Sequence, residues 1–107
     1  MKTLTLSLKK KWFVMIKSGV KKEEYRAFNE FWVKRLTWTI RYSEEQRNPF
    51  NGTILFDRLV FTLGYPKAND TERRLEFKNP KIRIGAGRPE WGAEPGKNYF
   101  VITWEES

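Results

Sequence analysis

The stretch that most restricts the fold runs over residues 12–26, WFVMIKSGVKKEEYR. A short apolar-periodic run ends in Ser18-Gly19, and a dense charged segment follows at once. Helical spacing predicts a helix over residues 9–18, with Trp12, Phe13, Met15 and Ile16 inward. Gly19 suits the left-handed position that ends helices. A strand is expected over residues 22–27. Such a chain presents several charges from a defined point just after a helix stop, more than solubility requires.

Upstream, Leu4, Leu6 and Leu8 alternate with Thr3, Thr5 and Ser7, which reads as a strand with one buried face. Phe28, Phe31, Trp32, Val33 and Leu36 sit at helical spacing and predict a second helix over 30–36. Residues 37–42 alternate again as a strand, and 43–52 form a turn-rich loop with Pro49 and Asn51-Gly52. The strongest strand run is 55–63. A polar loop over 64–74 leads to two short strands, 75–78 and 81–84, around Asn79-Pro80. Residues 85–97 are loop, and 99–104 a closing strand. The expected fold is α+β, predominantly β: a small β-barrel with two early helices packed on it. With 107 residues there is room for one core, so residues 1–107 are expected to form a single domain.

Composition removes several chemistries. There is no Cys and no His, so disulfides, Cys/His zinc sites, Ser-His-Asp triads and Cys nucleophiles are excluded. No metal or cofactor is expected. The N-terminus MKTLTLSLKKK has no long apolar run, so neither a signal peptide nor a membrane span is expected, and the protein is placed in the cytoplasm. The net charge is +8 and unevenly distributed. Residues 1–41 hold eleven Lys/Arg against three Glu, whereas 42–107 hold ten of each sign. A one-sided basic field suits a polyanionic partner, most simply nucleic acid; the alternative is a solvated basic helix face. Lys9, Lys10, Lys11 and Lys17 are the expected phosphate contacts. Three cations at a helix N-terminus oppose the macrodipole at a cost of a few tenths of a kcal/mol.

Within the expected second strand, Lys22, Glu24 and Arg26 share one parity. They form either a surface ion pair or, if enclosed, charges aimed at a ligand. Lys21 reaches the same space, and if enclosed beside other cations it would have a lowered pKa and could act as a base. Gly85-Ala86-Gly87 lacks the context of a dinucleotide fingerprint; it is a tight loop, or its amides and Arg88 line a cleft. Trp91, between Glu90 and Gly92, either staples this loop to the barrel or forms a pocket wall. Trp12, Trp32 and Trp104 sit on apolar faces and are expected in the core.

SGVKKEEYR after a short amphipathic helix resembles the ASCH domain, a PUA-like β-barrel. The stretch EFKNPKIRIGAGRPEWGAEPGKNYFVI resembles small bacterial and phage-encoded members of that family. The likeness covers nearly the whole chain and is thinnest over 43–52 and 66–74. It implies RNA or nucleotide-like ligands, bound in a cleft beside the first helix. Here that cleft would be lined by Lys21, Glu24, Arg26 and the 85–91 loop, with Arg88, Glu90 and Trp91. One branch of the family removes the acetyl group of N4-acetylcytidine with Lys, Thr and Glu; another has been described as a ribonuclease. By position the family lysine falls on Lys21, the strand arginine on Arg26, and the amidohydrolase threonine on Glu24. A carboxylate there cannot act as the hydroxyl does. If the chain is an enzyme, Lys21 and Glu24 are its expected catalytic groups. Glu76 and Glu90 are the candidates for the branch's acidic residue. The reading is RNA or modified-nucleotide binding, with a metal-independent hydrolase as the alternative.

Overall fold

The computed structural model describes residues 1–38 and 52–106. In chain order these form β1 (Thr3–Leu8), α1 (Lys10–Lys17), β2 (Glu24–Ala27), α2 (Glu30–Leu36), β3 (Thr37–Trp38), β4 (Gly52–Thr53), β5 (Arg58–Leu63), β6 (Arg74–Ala86) and β7 (Asn98–Glu105). Short 3-10 turns cover Thr71–Arg73 and Pro89–Trp91. The α+β, strand-rich class is as expected. The expected strand over 37–42 is seen at Thr37–Trp38; residues 39–51, with the rest of that strand and most of the expected loop, lie outside the described residues.

One mixed sheet has the order β1-β5-β6-β7-β2, and β3 pairs with β4 in a separate antiparallel ribbon. β1 and β2 stand at the two ends of the five-strand order. A barrel closes only when its end strands pair, and the described strands do not make that pairing, so the expected closed barrel is not formed among them. β1 runs parallel to β5, Thr3 opposite Arg58 through Leu8 opposite Leu63. A parallel pair needs a long crossover, and here the chain between the two strands, including both helices, supplies it. β6 runs antiparallel to β5, from Arg58↔Lys78 to Thr62↔Arg74. It is one strand, not the expected two. Asn79 takes a left-handed conformation (φ 48) before Pro80, a position Asn tolerates better than most residues. The kink is absorbed without ending the strand.

The chain divides into two units. The first comprises Met1–Glu24, Leu55–Lys81 and Ile102–Ser107. In it, Leu4, Leu6 and Leu8 point inward in the alternation the sequence predicts. α1 packs against β5 and buries Phe13 and Ile16. β5 is apolar on both faces, with Leu59, Val60 and Phe61 buried, as suits a strand flanked on both sides. Phe61, Phe77 and Trp104 form an aromatic cluster with centroids 5.1–6.0 Å apart.

The second unit comprises Tyr25–Ile54 and Ile82–Val101. Its core includes Leu36, Phe100 and Val101, all fully buried. α2 starts at Asn29, whose side chain accepts a hydrogen bond from the Trp32 amide at 3.0 Å. The helix covers the predicted residues, with Phe31 on it 51% exposed and Phe28, just before its start, 44% exposed. Seven residues make two turns. Leu36 and the half-buried Trp32 and Val33 occupy the inward side, and that leaves Phe31 outward. Trp12, Trp32 and Trp104, all expected in the core, are each half-buried. A ring of this size keeps an edge in solvent where a small unit has too few neighbours to enclose it.

Candidate functional site

In the first unit the site begins with the end of α1. Gly19 is left-handed (φ 82), its amide donates to the Ile16 carbonyl, and the Val20 amide donates to that of Met15. These two bonds define a Schellman motif. The Lys21 amide also donates to the Met15 carbonyl, at 3.0 Å. The backbone from which Lys21 departs is therefore tied to the helix end. Its side chain is 1% exposed. The ammonium lies 2.9 Å from Glu24 Oε1 and 4.2 Å from the centroid of the Trp12 ring. Glu24 is itself 4% exposed. A buried ammonium is tolerated only when paired; here a carboxylate neutralises it and the indole face attracts it. Lys11 approaches the same indole at 4.6 Å, so Trp12 is flanked by two lysines. The close ion-pair partner of Lys21 is thus a carboxylate, Glu24.

The expected parity of Lys22, Glu24 and Arg26 requires a strand from residue 22. β2 begins only at Glu24. Lys22 precedes it, is exposed, and meets Glu106 at 3.4 Å. Lys9, Lys10, Lys11 and Lys17 are all exposed. Lys9 caps α1 with backbone alone, and the first turn holds no acidic residue. Among the described residues these four lysines make no ion pair. Beside the C-terminal turn of α1 lies an open groove of about 380 Å³, lined by Lys17, Gly19, Leu75, Glu76, Phe77 and Glu106, among others. Glu76 is exposed and meets Arg58 at 3.4 Å.

In the second unit, Arg26 is half-buried. It donates to the Tyr25 carbonyl at 2.9 Å, and its guanidinium lies 5.3 Å from the Trp32 ring. The buried Tyr25 hydroxyl accepts from the Arg88 amide at 2.9 Å, which ties down the 87–97 loop. Gly87 is required there: a Cβ would stand 2.6 Å from the Tyr25 ring and 2.7 Å from Ala93. Trp91 packs against the Tyr25, Ala93 and Val101 cluster, as the stapling role expected of it requires. Arg88 lies 4.9 Å from the Trp91 ring and 3.7 Å from Glu90, with both charged groups exposed. Farther along, the Lys97 ammonium and the Glu94 carboxylate are 2.6 Å apart; this hydrogen bond, with the carboxylate's attraction, holds the Lys97 pKa above its ordinary value.

Sequence reasoning thus selects one pair that the fold joins, Lys21 with Glu24, and one loop cluster, Arg88 with Glu90 and Trp91. It missed Trp12 as the ring under Lys21, and it missed the contact between Arg35 and Phe31. The second carries a visible signal, since residues four apart on a helix are neighbours. Among the described residues, no group of three or more His, Cys, Asp or Glu could hold a metal ion, and no helix is long and apolar enough to cross a membrane. In comparisons with known proteins, no family model matches the chain, and neither a curated protein nor a solved structure matches it.

Proposed function

We propose that this chain is a cytoplasmic, PUA-like protein of the ASCH type that binds RNA or a modified nucleotide beside its first helix. The observation that carries this reading is the exposed face of α1. Lys10, Lys11 and Lys17 stand in solvent with no ion-pair partner among the described residues, on a helix whose first turn contains no acid. A helix that needed only solubility gains from acids near its N-terminus; this one concentrates cations there instead. Phosphates would supply the missing counter-charge. Arg26, Arg88, Glu90 and Trp91 are the proposed ligand contacts of the second unit, and Lys21 with Glu24 those of the first. The test is titration of single-stranded RNA over a range of salt. Lys10→Ala/Lys11→Ala should weaken binding uniformly across sequences and flatten the salt slope by about 0.7 per lost phosphate contact. An unchanged slope would place the contacts elsewhere.

A second reading is a metal-independent hydrolase of a modified nucleoside or of RNA. The buried Lys21–Glu24 pair at 2.9 Å favours it, because a base and an acid held together out of water are equipped for proton transfer. Glu24 stands where the resembled amidohydrolases carry a threonine, so efficient N4-acetylcytidine deacetylation is not expected. Cytidine release by the wild type, lost in Lys21→Arg, would establish the enzyme in place of the binding module.

A further inference from the structure

The solvent face of α2 carries an aromatic and a cation that the α1 reading leaves unused. Phe31, Lys34 and Arg35 lie at i, i+3 and i+4 and share one exposed face. The Arg35 guanidinium carbon is 3.4 Å from the Phe31 ring centroid. Arg35 Nη1 donates to the Phe31 carbonyl at 3.1 Å, which holds the guanidinium over the ring. Phe31 meets Trp32 edge-on at 5.0 Å, and Trp32 in turn carries Arg26 at 5.3 Å. Two rings and two guanidiniums therefore follow one another in series. Lys34 is paired with Glu30 at 3.2 Å, whereas Arg35 has no carboxylate partner among the described residues. The stretches that make up this unit contain eight Lys/Arg against five Glu, a surplus of three positive charges.

A half-exposed ring costs hydrophobic free energy, and an arginine spread on it is pre-organised to accept another flat group on its outer face. The net charge of the unit selects an anionic occupant. A planar group attached to an anion is the repeating chemistry of unpaired nucleotides, which stack on aromatic rings and guanidinium planes. We propose that the Phe31–Arg35 face of α2 is a stacking platform for an unpaired base of single-stranded RNA. The base lies on the Arg35 guanidinium, Phe31 backs it, and the positive charge meets the adjoining phosphate. This inference rests on the RNA reading given above, but uses a different element of the chain.

The experiment compares a short single-stranded RNA of mixed sequence with an abasic ribose-phosphate oligomer of equal length, titrated by fluorescence anisotropy. Wild type should bind the intact RNA about tenfold or more tighter than the abasic one. Phe31→Ala and Arg35→Lys should each lose most of that preference. Both keep the charge, so the abasic affinity and the salt slope stay as in wild type. Phe31→Tyr should retain the preference, which separates loss of stacking from loss of folding. If Phe31→Ala and Arg35→Lys discriminate as well as wild type, or if wild type shows no preference for bases, the platform is overturned and the RNA reading stands. If wild type binds neither oligomer at low salt, the RNA reading falls and the platform with it.

Discussion

Gly19 occupies a left-handed position with open space around it: a Cβ placed there would meet no atom within 4 Å. A substitution is penalised by backbone conformation alone. Gly19→Ala is expected to destabilise the protein by about 1–2 kcal/mol, measured by urea denaturation. Lys21 presents the opposite case, a residue whose cost is set by its partner. With side-chain exposures of 1% and 5%, the Lys21–Glu24 pair is effectively dry. Lys21→Met leaves a buried carboxylate without its cation and should cost about 3 kcal/mol. Lys21→Met/Glu24→Gln should recover about 1 kcal/mol or more of that loss, because no buried charge is left behind. A double variant less stable than the single one would show that the pair is not the relevant coupling.

At the scale of elements, the two helices differ in how they are started. α1 begins on Lys9 with no side-chain cap, so its stability comes from burying Phe13 and Ile16 and from the Schellman stop. α2 begins on a capping asparagine, carries Glu30 in its first turn, and has Lys34 and Arg35 in its last. The cap satisfies a free amide, and the three charged residues complement the helix dipole. Asn29→Ala should therefore cost about 1 kcal/mol and lower the helical circular dichroism signal, whereas Lys9→Ala should change stability little. The 87–97 loop depends on packing. Gly87→Ala drives a methyl into Tyr25 and Ala93, and is expected to cost about 1–3 kcal/mol and to disturb the environment of Trp91, visible in its fluorescence.

At the scale of the whole molecule, the surplus of +8 acts as a field. If the four lysines Lys9, Lys10, Lys11 and Lys17 each neutralise one phosphate, the logarithmic salt slope for single-stranded RNA is about −3. Affinity should then fall about 50-fold between 50 and 200 mM monovalent salt. A ten-fold smaller loss would remove most of these contacts from the interface.

Much of this architecture is legible in the sequence. The alternation of Leu4, Leu6 and Leu8, the stop at Gly19 and the bounds of α2 are local signals: they depend on periods of two or 3.6 residues and on the conformational freedom of glycine. So is the position of Lys21, which follows from that stop. Three features are not legible, for a common reason. The parallel pairing of β1 with β5 joins residues some 55 positions apart, and no short-range pattern encodes the partner of a strand. β6 continues through Asn79-Pro80 because a left-handed asparagine absorbs what otherwise reads as a break. Whether Phe31 turns outward and Lys21 inward is decided by which neighbours fill the space around them, so the exposed stack on α2 and the buried pair behind α1 belong to the tertiary structure. Period and turn chemistry act within a few residues; burial, and with it the energy of every charge, is set by the chain that returns from far away.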